Sequence, residues 1–328
     1  MLRWGILGTA RIARERLVPA IQASNNGTLA AIGSRSQTSA DAFAKTYGIP
    51  HAFPTYDDLL NSDEVDAVYI PLPTADHIAW TLKAIAAGKH VLCEKPIALH
   101  ASQIDDVIKA RDASGLVVAE AFMVTYHPQW LKVRELIQSG VIGKLRHIQG
   151  SFAYHLIDPD NMRNKVEQGG GALLDIGVYP TVTSRFVTGK EPIKAWAQVE
   201  RDPNFDTDIF ANCNLDFDGF GVSFYVSTQL AGRQHMVFHG DQGYIDVNAP
   251  FNAEAYGAAN VELFDQGRSS SQSWRFSSEL QYTHQVEAFG QKVAGDDVEL
   301  FTLEQSIANQ SAIDALFASG ESGAWEKV

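Results

Sequence analysis

Cysteine, positive charge and long apolar runs are all scarce in this 328-residue chain, and each shortage excludes something. Cys93 and Cys213 are its two cysteines, too few for a disulfide framework, and a reducing compartment is expected. Lys and Arg number 26 against 39 Asp and Glu, a net charge of -13. Nucleic-acid binding needs clustered basic side chains, so nucleic acid is not an expected partner. No run of about 18 apolar residues is present to span a bilayer. The first strand starts at residue 2, which leaves no room for a basic segment followed by an apolar targeting helix. A cytoplasmic protein is expected, without a membrane partner. No His/Cys/Asp cluster has ligand spacing, so no metal site is expected. Repeats, charged tails and low-complexity linkers are also missing.

Apolar residues are plentiful, at 45%, enough for two domains with separate cores. Over the first 120 residues, β-rich runs near 2–7, 29–34, 65–70, 89–93 and 116–120 alternate with helical patterns near 11–23, 37–47, 76–87 and 101–114. That alternation predicts a doubly wound parallel sheet covered on both faces. The rhythm then changes. Cys213, Leu215 and Phe217 alternate with polar residues, Asp218-Gly219 follows, and Val222, Phe224 and Val226 resume the alternation. This is a hairpin with one buried face. Alternation near 145–154, 194–200 and 234–239 extends it to a mixed or antiparallel sheet, with helices near 127–138, 172–187, 281–294 and 303–318. Ser269-Ser270-Ser271 reads as a mobile loop. The expected domains are 1–120 and 121–328.

The start of the chain carries the sharpest motif. Leu2-Arg3-Trp4-Gly5-Ile6-Leu7 runs into Gly8-Thr9-Ala10-Arg11-Ile12-Ala13, an apolar strand turning on small residues into a helix. Backbone N–H groups at such a helix start bind a pyrophosphate, although Gly5, Gly8 and Ala10 form an incomplete glycine pattern. NAD-binding domains usually place a carboxylate at the end of the second strand; here it ends in Gly33-Ser34-Arg35-Ser36. The two hydroxyls and the guanidinium suit a 2'-phosphate, so NADP is expected over NAD, the bland alternative being a solvated turn.

Two further segments fall at strand ends on the same rim: Leu72-Pro73-Thr74-Ala75-Asp76-His77, opening a helix, and Glu94-Lys95-Pro96. Ligands of open α/β sheets bind beyond the strand carboxyl ends, which assigns Leu72, Pro73, Thr74, His77, Glu94 and Lys95 to the cofactor alongside Gly8, Thr9, Ala10, Arg11 and Ile12. A surface ion pair and an ordinary helix start explain the same residues without a ligand. In the second domain, Gly169-Gly170-Gly171 precedes a helix on which Asp175 and Tyr179, four apart, share a face. An amphipathic helix with a solvated Asp and a half-buried Tyr fits that pair equally.

GILGTARIA, GSRS, HVLCEKP and GGGALLDIGVYP together resemble the glucose-fructose oxidoreductase, inositol dehydrogenase and MocA family over nearly the whole chain. Tyr179 stands where the inositol dehydrogenase branch has histidine, so the chain is similar to the NADP-dependent aldose (D-xylose) dehydrogenase and dimeric dihydrodiol dehydrogenase branch. The resemblance implies a Rossmann domain followed by an α+β domain with a large open, mainly antiparallel sheet that packs against a partner subunit, giving a homodimer or homotetramer. It also implies Glu94 and Lys95 near the nicotinamide ribose, a cis Lys95-Pro96 bond, and Asp175 and Tyr179 facing the substrate.

The chemistry expected is hydride transfer between NADP and a carbinol carbon of an aldopyranose or related cyclic polyol. An ammonium such as Lys95 favours the phenolate of Tyr179, which serves as base; Lys95 also polarises the reacting oxygen, and Asp175 holds a neighbouring hydroxyl. His155 and Arg163 are further candidates for sugar contacts, and His155 also reads as a structural histidine. Two rivals stand beside this reading. One is a trans-dihydrodiol dehydrogenase; the other is a dinucleotide-sensing regulator that kept the fold and lost turnover.

Overall fold

The computed structural model describes residues 1–276 and 280–328. They divide into two units, Met1–Met123 with Leu280–Ile307, and Val124–Glu279 with Ala308–Val328.

In the first unit, strands β1 (Leu2–Leu7), β2 (Gly27–Gly33), β3 (His51–Phe53), β4 (Ala67–Ile70), β5 (His90–Cys93) and β6 (Val118–Glu120) form a sheet. All its pairs are parallel, in the order β3-β2-β1-β4-β5-β6. The order reverses between β1 and β4, so a crevice for ligands opens beyond the carboxyl ends of those strands. Residues 11–23 are helical: a π-helical turn at Ala13–Leu17 leads into α1 (Val18–Ala23). The other covering helices are α2 (Gln37–Tyr47), α3 (Tyr56–Leu60), α4 (Thr74–Ala86) and α5 (Ile104–Ser114). Strands covered on both faces must be apolar throughout, and Ile6, Val68, Ile70 and Val91 are fully buried.

The second unit contains α6 (Pro128–Gln138), β7 (Leu145–His155) and a second π-helical turn, Leu173–Gly177, that leads into α7 (Val178–Thr188). Seven strands follow: β8 (Pro192–Arg201), β9 (Asp208–Phe217), β10 (Phe220–Ser227), β11 (Gln229–Gly240), β12 (Gly243–Val247), β13 (Ala259–Asp265) and β14 (Ser271–Phe276). The expected β9–β10 hairpin is present, with the Phe217 and Phe220 rings stacked 4.7 Å apart beside the turn. Along β9, Ala211, Cys213, Leu215 and Phe217 are buried while Asn212 is exposed, so one sheet face is covered. Of Ser269-Ser270-Ser271, read as a mobile loop, Ser269 and Ser270 form the β13–β14 turn, where both hydroxyls donate to the Asp265 carboxylate, and Ser271 begins β14.

The chain then returns to the first unit through α8 (Gln281–Val293), which packs on α1 and β2 and sets Phe289 5.1 Å from the Trp4 ring. The last elements are α9 (Leu303–Ser322) and β15 (Glu326–Lys327), and β15 adds antiparallel to β8. The nine-stranded order is β14-β13-β12-β11-β7-β10-β9-β8-β15, antiparallel except for β7–β10. The expected division at 120/121 therefore needs correction: the first segment ends near it, but Leu280–Ile307 belongs with residues 1–123. Tyr282, Val286 and Phe289 make α8 an apolar cover for that sheet. No helix among the described residues is long and apolar enough to cross a membrane.

Candidate active site

The β1 turn closes on Gly8, whose φ of +97° is left-handed and whose N–H donates to Gly33 O at 2.8 Å. A Cβ there would press at 3.3 Å on both Leu72 and the Tyr56 hydroxyl, and the conformation itself disfavours one. Thr9, Ala10 and Ile12 are half-buried, whereas Arg11 is exposed and reaches back to Glu15 at 3.3 Å. After β2, Ser34 is buried and its Oγ accepts from the Ser36 N–H at 3.4 Å; Ser36 in turn caps α2 by accepting from Ser39 N. Arg35 is exposed. Burial raises the Tyr56 phenol, and the Arg35 guanidinium, within hydrogen-bonding reach of it, acts in the opposite sense. Tyr56 thus links Arg35 to the Gly8 turn, a role the sequence did not suggest. With no carboxylate among residues 33–36, this end of β2 fits a 2'-phosphate on the adenosine ribose.

The next rim segment leads from β4 into α4. Leu72 and Pro73 are half-buried and Thr74 is buried at the start of α4. His77, assigned to the cofactor, is 1% exposed, with Nδ1 2.8 Å from Pro96 O and Nε2 2.7 Å from Leu72 O. Burial lowers its pKa against the pull of those carbonyls, and the Lys95 charge lowers it further. Each ring nitrogen of His77 therefore faces a backbone carbonyl of a different loop, and the neutral ring donates to one of the two. The Lys95-Pro96 bond is cis, as expected. Glu94 accepts from the Tyr69 hydroxyl at 2.5 Å and from the Lys95 N–H at 3.2 Å, and Ile97 N donates to Glu120 at 2.8 Å. Lys95 is half-buried on this braced turn.

In the second unit the glycine run is shaped by Asp208. Gly171 has φ +118°, and a Cβ there would collide with the Asp208 carboxylate. Asp208 is 2% exposed, accepts from Leu173 N at 2.7 Å, and is raised to about 7 by burial. It holds the start of the π-helical turn that presents Asp175. Asp175 Oδ2 accepts both from the Tyr154 hydroxyl at 2.5 Å and from Arg163 Nε at 2.9 Å. This oxygen already serves two side chains of the chain itself. Burial and then Asp175 raise the Tyr154 phenol, and Asp175 raises the Arg163 guanidinium. Tyr179 packs its ring 5.5 Å from Phe152 and 5.3 Å from Phe251, and a phenolate there also favours charged Arg163.

His155 does not join this cluster. It ends β7, exposed, next to Tyr154; successive strand residues point to opposite faces, so Tyr154 takes the Asp175 side and His155 the other. Tyr154, Asp208 and Glu120 were missed in the sequence, where each is an ordinary strand residue.

A parallel sheet with this crossover order and a glycine turn at β1 define a dinucleotide-binding fold of the oxidoreductase type. Residues 2–122 match the GFO/IDH/MocA model described as an oxidoreductase family with an NAD-binding Rossmann fold, and residues 130–246 match the GFO/IDH/MocA C-terminal domain; the chain belongs to this family. An oxidoreductase from Rhizobium meliloti is 36% identical, covering 100% of this chain and 99% of its own. A D-xylose 1-dehydrogenase (NADP(+)) from Haloferax volcanii is 32% identical over 98% of both chains. Among solved structures, a 3-ketoreductase from Actinomadura kijaniata in complex with NADP and TDP-benzene superposes with a TM-score of 0.90 at 30% identity, over 97% of each chain.

Proposed function

We propose that the protein is an NADP-dependent oxidoreductase that moves a hydride between the nicotinamide and a carbinol carbon of a sugar, an aldopyranose or related cyclic polyol. The observation that carries this reading is the Asp175 cluster, where a carboxylate, a guanidinium and two phenols lie together. Directional groups of this kind suit adjacent ring hydroxyls better than the flat apolar face of an aromatic dihydrodiol. NADP rather than NAD is supported by Arg35 beside the Gly8 turn, and by the NADP named for the xylose dehydrogenase and the 3-ketoreductase.

When bound, the nicotinamide accepts or supplies the hydride. Lys95 polarises the reacting oxygen, and Tyr179 takes its proton in oxidation and returns it in reduction. Arg163 supplies a cation that favours the Tyr179 phenolate, a part the sequence reading gave to Lys95. Asp175 fixes Arg163 and Tyr154. Variants of the Actinomadura kijaniata 3-ketoreductase have been solved with substitutions at one lysine and one tyrosine, spaced as Lys95 and Tyr179 are here. The exposed face of the nine-stranded sheet is the surface we assign to a homodimer or homotetramer.

A second reading, reduction of a nucleotide-linked keto sugar, is favoured by the likeness to that 3-ketoreductase. A kcat/KM panel decides between them: D-xylose, D-glucose and their 2-deoxy analogues with NADP, a trans-dihydrodiol with NADP, and a dTDP-linked 3-keto sugar with NADPH. Free sugars are expected to lead, with a steep loss when one hydroxyl is removed. A dihydrodiol or the nucleotide sugar outperforming them overturns the aldopyranose assignment, and tight NADP binding without any turnover would mark a regulator.

A further inference from the structure

The turn that carries Lys95 is held from below by a carboxyl group with no surface role. Glu120 ends β6 and is 2% exposed, and its Oε1 accepts from the Ile97 N–H at 2.8 Å, two residues beyond Lys95. His77 holds the intervening residue through Pro96 O. The groups facing Glu120 are Lys95 and Glu94 on the turn, Cys93 on β5 and Ser306 on α9. Of these, Lys95 and the Ser306 hydrogen bond favour its charged form, and Glu94 opposes it. Cys93 is a buried thiol raised well above its ordinary value and stays neutral.

We propose that Glu120 is a positioning residue for hydride transfer: it anchors the Lys95-Pro96-Ile97 turn through the Ile97 amide and, when ionised, supplies the counter-charge for the Lys95 ammonium. This rests on the reading that Lys95 polarises the reacting oxygen. A surface carboxylate would be ionised at every working pH and would leave no trace. Burial instead raises Glu120 to about 7, so its charge changes within the working range of a dehydrogenase. Above that point the ionised carboxylate supports Lys95; below it the neutral acid still accepts the Ile97 hydrogen bond but gives no counter-charge. Activity therefore rises with pH through about 7 because of a group that touches neither substrate nor cofactor.

The test is the pH profile of kcat/KM with NADP and the best substrate of the panel, for the wild type, Glu120→Gln and Ser306→Ala. Glutamine retains an oxygen for Ile97 N and removes the titration. Glu120→Gln is expected to hold NADP affinity within about threefold, to lose the rise through neutrality, and to fall about tenfold above pH 8, the scale of one charge-assisted contact. Ser306→Ala removes a bond that favours the ionised form, so its rise is expected at higher pH, by about half a unit or more. That variant also serves if Glu120→Gln fails to fold. An unchanged profile in Glu120→Gln, or an unmoved midpoint in Ser306→Ala, overturns the proposal. Lys95→Met separates it from its premise: near-normal turnover there removes the role of Lys95, whereas a Lys95-dependent enzyme indifferent to Glu120 removes only the role of Glu120.

Discussion

Arg163 and Asp175 share a single oxygen with Tyr154: Nε of the arginine donates to Oδ2 at 2.9 Å, and the phenol donates to the same atom at 2.5 Å. The aspartate side chain is 13% exposed and the arginine 40%, so the carboxylate is the more desolvated partner. Removing either one leaves the other short of a charge it was folded around.

The pair is therefore expected to be coupled. Arg163→Ala and Asp175→Ala should be less than additive in urea unfolding, with a coupling of about 1–3 kcal/mol, the upper range for residues in one network. Strict additivity in the double-mutant cycle would show the contact to be energetically idle.

Arg35 is the residue proposed to discriminate between the two cofactors. Arg35→Ala is expected to weaken NADP by about 1–3 kcal/mol, the worth of a hydrogen bond to a charged group, with little effect on NAD. Fluorescence titration with both cofactors measures it; an equal loss for the two would locate the arginine's effect in the Gly8 turn, through Tyr56, instead of on a phosphate.

Lys95→Met and Tyr179→Phe are each expected to lower kcat by about a hundredfold or more, the lower scale of general acid-base catalysis. NADP affinity is expected to change much less, apart from some loss in Lys95→Met. Near-normal turnover in Tyr179→Phe would transfer the proton step to another group of the Asp175 cluster.

Asp208 gives a stability prediction with a definite sign. Its folded pKa is raised to about 7, above the ordinary carboxylate value of 3.8, so between those limits the native state holds a proton that the unfolded chain releases. Stability from this group is present at low pH and lost as pH rises toward neutrality. Asp208→Asn can still accept from Leu173 N but cannot titrate. The fall in urea midpoint from pH 4.5 to 7.5 should be smaller in the variant than in the wild type, and equal falls would refute the assignment.

Regular, strongly patterned elements were legible in the sequence. The apolar run at 2–7 is β1 and the helical pattern at 37–47 is α2, each residue for residue. Strand β3 has three residues and α3 five, too short for either periodicity to register. Strand β14 is polar and largely exposed, so its alternation carries no contrast. The site divides similarly. Lys95 and Tyr179 stand out in the sequence because they sit in motifs, whereas Glu120 and Asp208 accept from backbone amides distant in sequence, Ile97 and Leu173, which only the folded chain brings to them. For His77, nothing in a helix-start histidine signals that both ring nitrogens lie against backbone carbonyls.

The return of residues 280–307 to the first unit bears on how the chain is made. A ribosome delivers the Rossmann strands first, but the helix that lays Phe289 against Trp4 emerges after nearly the whole second sheet has been synthesised. Until then the nascent nucleotide-binding unit has an uncovered apolar flank, and a fragment cut at Met123 would keep it permanently. A chaperone accordingly has its longest opportunity on the part of the chain that leaves the tunnel earliest.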